Sequence, residues 1–325
     1  MKKILIIQTA FIGDVILATP VIEALHKQFP EAELHFLLRK GNEGLLKNHP
    51  FVNQTIIWNK KDGKMKNLFR IIRRLRSEQY DVAINLQRFL STGIFTTFSG
   101  AKARIGFKKN PLSLFFTHRI EHEIGTGKHE CERNLELIVP LAGRGWDIRP
   151  RLYPSATDME SVAGYKTENY VCMAPTSVWF TKQWPADKWI ELIASLPKGM
   201  KVYLTGGPGD AEACQEIASK FENQVINLAG KLNFLESAAL MVDAKMNYVN
   251  DSAPMHMASA MNAPTTAIFC STVPNFGFGP LASNSRIVET PETLDCRPCG
   301  LHGYRACPKG HFRCAYSIDI NQFNI

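Results

Sequence analysis

The sequence predicts an α/β protein of two Rossmann-like, doubly wound domains facing each other across a cleft. Three observations carry that expectation. Short apolar runs alternate with amphipathic stretches, the pattern of βαβ units and a parallel sheet. The alternation breaks at RGWDIRPRLYPSAT (144–157), rich in Pro and without periodicity, and then starts again. A chain of 325 residues also exceeds what a single small core holds. The boundaries expected are 1–157 for the first domain, 158–295 for the second, and 296–325 for a Cys-rich C-terminal segment.

The opening KKILIIQ is an apolar run suited to a buried parallel strand. After the turn TAFIG, Val15, Ala18, Val21, Ile22 and Leu25 recur at helical spacing, and Pro30 ends that helix. ELHFLLR (33–39) and TIIWN (55–59) read as strands, 63–78 as a basic helix and YDVAINL (80–86) as a further strand. In the second half NYVCMAP (169–175), MKVYLTGG (200–207), QVINLAG (224–230), MNYVNDS (246–252) and TTAIFCS (265–271) read as strands. Helices are expected at 187–196, 210–221 and 234–242, with another starting near Pro254.

Composition excludes collagen-like and low-complexity chains, and no apolar run reaches the roughly 18 residues of a membrane span. The basic start is broken by Gln8, Thr9 and Asp14 and lacks a cleavage pattern, so a cytoplasmic protein is expected. The net charge of +8 is uneven. Residues 1–160 hold 25 basic and 16 acidic side chains, and 161–325 hold 13 and 14. A basic half beside a neutral one points to an acidic partner for the first half, unless the charge is only a solvated surface. Much of it lies between Lys60 and Arg76, where Leu68, Ile71, Ile72 and Leu75 form an apolar stripe between the cations. No nucleic-acid motif accompanies this charge, so an anionic membrane surface or an acidic acceptor fits it better.

Four loops at strand ends hold the candidate chemistry. At Gly13-Asp14 a carboxylate opens the first helix, either as a cap or as a reactive group aimed at the cleft. At 174–185, Thr176, Ser177 and Lys182 offer hydroxyls and an ammonium to an anion, without Walker spacing. In TGGPGD (205–210), Gly206 and Gly207 allow a ligand close to the backbone. Asp210 there either caps the next helix or binds a ribose, and the spacing is not G-x-G-x-x-G, so a dehydrogenase is not implied. At 250–256, Asp251 or Ser252 precedes a helix whose first amides suit a diphosphate, with Ala253 at its start and His256 one turn in.

G-D-V-x-x-A-T-P at 13–20, T-K-Q-W-P at 181–185 and D-S-A-P-M-H-M-A-S-A at 251–260 together resemble the ADP-heptose:lipopolysaccharide heptosyltransferases, glycosyltransferase family 9. R-I-G-F at 104–107 and K-H-E-C-E-R-N-L-E-L at 128–137 add to the resemblance, which runs in order through nearly the whole chain. It implies a GT-B fold with an N-terminal acceptor domain and a C-terminal nucleotide-sugar domain. It also implies inverting transfer of heptose from ADP-heptose to a lipopolysaccharide core, with no catalytic metal, at the inner face of the inner membrane. The absence of any D-x-D agrees with that. Asp14 would be the general base, Lys182 would neutralise the departing diphosphate, and Ser177 or Thr176 would bond its oxygens. Asp251, Ser252, Ala253 and His256 would hold the diphosphate and sugar. The sequence departs from the family at Ala253, where Gly is usual, and it reaches Ile325 directly after the cysteines, without the long helix common there. The alternatives are a related transferase with another nucleotide sugar or acceptor, or a nucleotide-sugar-binding protein without turnover.

Cys131, Cys172, Cys214 and Cys270 are scattered and read as small buried hydrophobes. Cys296, Cys299, Cys307 and Cys314 crowd into CRPCGLHGYRACPKGHFRC. Their spacing suits a structural zinc site, with His311 as an alternative ligand; reduced thiols, facultative disulfides and an iron–sulfur site remain open beside it.

Overall fold

A computed structural model of the chain describes residues 1–60 and 63–323, so Lys61 and Asp62 of the basic stretch and the terminal Asn324 and Ile325 lie outside it. The chain divides into two compact units, Met1–Tyr153 and Pro154–Ile325.

In the first unit, β1 (Lys3–Ile7), β2 (Glu33–Arg39), β3 (Gln54–Trp58), β4 (Val82–Asn85), β5 (Ala103–Phe107) and β6 (His118–Ile120) form one sheet. Their order is β3-β2-β1-β4-β5-β6 and every pairing is parallel. The connections carry α1 (Ile12–Ile16), α2 (Thr19–Gln28), α3 (Lys64–Ser77), α4 (Leu90–Phe98), α5 (Glu130–Glu136) and α6 (Val139–Ala142). The residues of β1 from Ile4 to Ile7 are fully buried, as a strand covered on both faces must be. In α3, Leu68, Ile71 and Leu75 pack into a core with Leu5, Trp58, Tyr80 and Phe95. That burial leaves Lys66, Arg70, Arg73, Arg74 and Arg76 on the exposed face.

The single helix expected after the first turn is two. Pro20 cannot donate to the carbonyl of Ile16, and the Thr19 hydroxyl takes that oxygen instead at 2.7 Å. The helix therefore restarts at Thr19 with Pro20 in its first turn.

In the second unit, β7 (Tyr170–Ala174), β8 (Lys201–Leu204), β9 (Val225–Asn227), β10 (Asn247–Asn250), β11 (Thr265–Phe269) and β12 (Ser285–Glu289) form the other sheet. Its order is β12-β11-β10-β7-β8-β9, again parallel throughout. The helices are α7 (Ala156–Ser161), α8 (Ala186–Ser195), α9 (Ala211–Ala218), α10 (Phe234–Val242), α11 (Ala253–Ala260) and α12 (Arg313–Tyr316). Counted from its own first strand, each sheet has the Rossmann order 3-2-1-4-5-6, so each unit is a doubly wound domain.

The Cys-rich tail, set apart as a segment of its own from sequence, belongs to the core of the second unit. Phe312, Cys314, Ala315, Ile318 and Phe323 are buried with Val171, Trp184 and Trp189. The Trp184 indole donates to the Ala315 carbonyl at 3.2 Å and its ring stacks on Phe323 at 5.1 Å. The apolar payload of residues 312–323 explains why the tail packs here instead of standing alone.

Gly106 in β5 marks a tight place in the first core. A Cβ there would lie 2.5 Å from Cε2 of the buried Phe116 ring and 3.4 Å from Cβ of Asn85. Gly106→Ala is expected to destabilise the protein by about 1–3 kcal/mol through overpacking, read as a lower midpoint in thermal or urea unfolding.

Candidate active site

In a doubly wound sheet, ligands gather beyond the carboxyl ends of the strands, where the strand order reverses. In the first unit that point lies between β1 and β4. The loop leaving β1 is pinned there. The Thr9 amide and hydroxyl both donate to Oε1 of Gln87, at 3.0 and 2.8 Å, from the loop leaving β4. Asn42 Nδ2 donates to the Ala10 carbonyl at 3.0 Å, and Lys60 Nζ to the Thr9 carbonyl at 3.0 Å.

On that platform Gly13 and Asp14 open α1. Oδ2 of Asp14 accepts the Phe11 amide at 3.2 Å, while Phe11 itself makes no side-chain cap bond, so the carboxylate satisfies one of the free amides at the start of α1. The carboxyl is nonetheless pushed up to about 6, first by burial and then by the charge of Glu130, against the lowering pull of its backbone amides and Arg88. Asp14 is thus a cap and also a carboxylate poised near neutrality, which a plain cap is not.

Glu130 belongs to a buried polar chain that sequence reasoning did not assemble. Burial alone would raise its carboxyl, but His122 and Arg133 more than offset this and hold it low. Arg133 Nε donates to Glu130 Oε2 at 2.6 Å, and His122 Nε2 lies 3.3 Å from the same oxygen. Arg88 Nη1 lies 3.5 Å from His122 Nδ1. Asn134 Nδ2 ties α5 to α1 through the Leu17 carbonyl at 3.1 Å. The signal was the run H-E-C-E-R-N, whose buried face carries charge instead of the usual apolar residues.

In the second unit the reversal falls between β10 and β7. Asn250, fully buried at the end of β10, reaches across to the loop leaving β7. It donates to the Pro175 carbonyl at 2.9 Å and accepts the Trp184 amide at 3.0 Å. Gln183 Nε2 closes the loop on the Ser177 carbonyl at 2.6 Å. Thr176 and Ser177 stand partly exposed on it. Lys182 Nζ is 2.8 Å from Oδ2 of Asp251, and both side chains are largely buried. The same oxygen accepts the Thr272 hydroxyl at 2.6 Å. Asp251 is therefore committed to holding the ammonium.

Ser252 is the N-cap position of α11, with no side-chain cap bond; its hydroxyl donates to the Asn250 carbonyl at 3.3 Å. Ala253 is the first helical residue, and His256 is buried one turn in. In the β8 loop, Asp210 accepts the Gly207 amide at 2.7 Å, the capping half of its two expected roles. A Cβ on Gly206 would lie 2.8 Å from Cβ of Asp210, so its small size serves that turn. Sequence reasoning missed Asn250 as the tie between loops and Thr272 as the partner of Asp251. The available signal was polar residues directly following buried strands.

Cys296, Cys299, Cys307 and Cys314 are all free thiols. Together with His311 they line one cavity of about 220 Å³. Among the described residues no three Cys, His, Asp or Glu side chains are gathered as a metal-ligating set, so the expected zinc site is not formed as such. Nor is any helix among them long and apolar enough to cross a membrane.

Two Rossmann-like, doubly wound domains in one chain are the architecture of the GT-B class of glycosyltransferases. The chain belongs to glycosyltransferase family 9, the heptosyltransferases, whose family model matches residues 68–302. It is 32% identical to lipopolysaccharide heptosyltransferase 3 of Escherichia coli over 81% of this chain and 82% of that protein. Among solved structures it is similar to the E. coli ADP-heptose lipopolysaccharide heptosyltransferase II, with a TM-score of 0.79, 22% identity and full coverage of both chains. It is also similar to E. coli heptosyltransferase WaaC with ADP-2-deoxy-2-fluoro heptose, with a TM-score of 0.74, 18% identity, and 99% and 98% of the two chains covered.

Proposed function

We propose that this glycosyltransferase moves a heptose from ADP-heptose onto a lipopolysaccharide core acceptor in one displacement with inversion, its charge handled by protein groups without a catalytic metal. The observation that carries the reading is the Asp14 carboxyl, raised to about 6 on a pinned loop at the reversal point of its sheet. A base is best matched when its pKa lies near the working pH. Asp14 takes the proton of the acceptor hydroxyl as that oxygen attacks the anomeric carbon. The bond from that carbon to the diphosphate oxygen breaks, and ADP leaves. Lys182 meets the charge that develops on the diphosphate, with hydroxyls of Thr176 or Ser177 and the first amides of α11 beside it. Ser252 and His256 border the same helix start. Asp251 acts on Lys182 and not on the diphosphate, because two anions in contact repel.

The donor reading draws support from the solved relatives, of which WaaC holds a fluorinated ADP-heptose. The acceptor reading draws support from the relative named lipopolysaccharide heptosyltransferase 3. The exposed face of α3 also supports it, since Phe69, 63% exposed, stands among Lys66, Arg70 and Arg73. A basic face with an apolar side chain in it suits a phosphorylated glycolipid on an anionic membrane. At a hundred times its dissociation constant a nucleotide stabilises the folded protein by about 2.7 kcal/mol. In a thermal-shift panel, ADP is expected to raise the melting temperature while UDP, GDP and CMP do not. ADP-heptose with heptose-deficient lipopolysaccharide should then release ADP. Stabilisation by UDP in place of ADP would overturn the donor assignment.

A further inference from the structure

We propose that one face of the first unit, formed by α3, α4 and the 108–117 loop, docks on the surface of an anionic phospholipid bilayer, with Leu114 and Phe115 entering its interface. The functional meaning of this face rests on the acceptor reading; its physical basis lies in the first unit alone.

Topology sets the three segments side by side. The connections from β3 to β4, β4 to β5 and β5 to β6 all step the same way along the sheet, and right-handed crossovers put them on one face of it. Ile71 and Leu75 of α3 share a core with Phe95 of α4. α4 and the loop are tied at both ends. At the first, Asn110 Nδ2 donates to the Phe89 carbonyl at 3.0 Å, and a Cβ on Gly93 would run into the Asn110 side chain. At the second, Arg104 Nε donates to the Phe115 carbonyl and Nη1 to the Ala101 carbonyl just beyond α4, both at 2.9 Å.

The loop is firmly built. Asn110, Ser113 and Phe116 are buried in it. The Ser113 hydroxyl donates to the Lys108 carbonyl at 2.8 Å, and Oδ1 of Asn110 accepts the Leu112 amide at 3.0 Å. Yet the loop turns its two largest apolar side chains to water, with Leu114 79% and Phe115 59% exposed. Phe89, Leu90 and Phe98 stand exposed beside them, on or next to a helix, LSTGIFTTF, that carries no charge. A surface helix ordinarily keeps its outer face polar, and adjoining exposed apolar side chains mark an interaction site.

The surrounding charge identifies the partner. From residue 82 to residue 120 the chain has six Lys or Arg and no Asp or Glu. Lys102, Lys108, Lys109 and Arg119 are exposed, and α3 adds Lys66, Arg70 and Arg73. Cations around exposed Phe and Leu match an anionic surface with an apolar interior, the cations meeting headgroup phosphates while the apolar tips enter the acyl boundary. A second copy of the chain fits less well, because a twofold contact would set these cations against one another. The face also leads to the candidate base. Asn110 Nδ2 reaches the Gln87 carbonyl at 3.3 Å, and the Gln87 side chain pins the loop that opens onto Asp14. Docking by this face brings that loop to an acceptor whose acyl chains lie in the same bilayer.

Sedimentation of the full chain with vesicles tests the face without donor or acceptor. The wild type is expected to bind vesicles of phosphatidylcholine with one part in four of phosphatidylglycerol, less so as salt rises, and not to bind phosphatidylcholine alone. Leu114→Ser with Phe115→Ser should weaken binding by at least about tenfold. Lys108→Glu with Lys109→Glu should weaken it by at least about twentyfold, each cation near the surface being worth about fivefold. Met159→Ser, in α7 of the second unit, should bind as the wild type does, and all these variants should keep its unfolding midpoint. Wild type that leaves the mixed vesicles unbound, or binding that both double variants retain, would overturn the proposal. A wild-type dimer that Leu114→Ser with Phe115→Ser dissociates would also overturn it, giving the face to a second copy. Vesicle binding needs neither substrate, so a wild type that binds but transfers no heptose would overturn the acceptor reading and not the docking face.

Discussion

Asp14→Asn is expected to remove transfer and stabilise the protein at the same time. Loss of a positioned base costs roughly 10²–10⁴-fold in rate. The stability gain follows from the sign of the shift. The carboxyl titrates at about 6 in the fold, against about 3.9 in an unfolded chain. Between those values the folded state binds more protons than the unfolded one, so stability falls as pH rises through the window. Above pH 6 the ionised side chain costs up to roughly 3 kcal/mol, and below pH 4 it costs nothing. Asparagine does not ionise, yet its carbonyl oxygen still accepts the Phe11 amide that Asp14 now holds. Unfolding curves at pH 8 should therefore place the variant above the wild type, with the gap closing toward pH 4. The wild-type kcat/KM should rise through an apparent pKa near 6, and ADP binding should be nearly unchanged in the variant. A variant less stable than the wild type at every pH, with transfer retained, would make Asp14 an ordinary helix cap.

That dual character of Asp14 shows where sequence reasoning succeeds and where it stops. Period and punctuation alone placed ELHFLLR and the helix at 234–242 at the ends the structure gives them. Both are apolar, bounded by turn residues and free of internal conflict. The elements it left unassigned carry contradictory signals. In β5 the strand ARIGF is interrupted by Arg104 and Gly106, the latter required by the Phe116 ring. In β6 the strand is three residues, and in β12 only Val288 is buried. Their strand character comes from their neighbours in the sheet and not from their own side chains. The site divides in the same way. Asp14, Lys182 and Asp251 stand in motifs and could be named. Asn250 and Thr272 act through contacts between loops remote in sequence, which no local pattern encodes. The raised carboxyl of Asp14 comes first from burial and then from the charge of Glu130, more than a hundred residues away in the chain, and both arise only once the chain is folded.

Lys182→Met carries the other large effect, and its companion Asp251→Asn separates the chemistry from the packing. Lys182 and Asp251 form a largely buried pair at 2.8 Å, with Thr272 on the same carboxylate oxygen. Removing only the ammonium leaves the carboxylate charged in a place that solvates it poorly, at a cost of about 3–5 kcal/mol. Transfer should fall further than unfolding explains, by roughly 10²–10³-fold, as for loss of one preorganised donor at developing charge. Adding Asp251→Asn to Lys182→Met removes the orphaned charge while keeping an oxygen for the Thr272 hydroxyl. The double variant is therefore expected to regain most of the lost stability and none of the transfer. Asp251→Asn alone should retain measurable transfer, because the ammonium survives and loses only the group that aims it. Thermal or urea unfolding of the four proteins closes a double-mutant cycle, and single-turnover assays on the folded fractions report the chemistry. Recovery of transfer in the double variant would show that Lys182 serves the fold alone, and the charge on the departing diphosphate would then have to be met by the hydroxyls and the amides of α11.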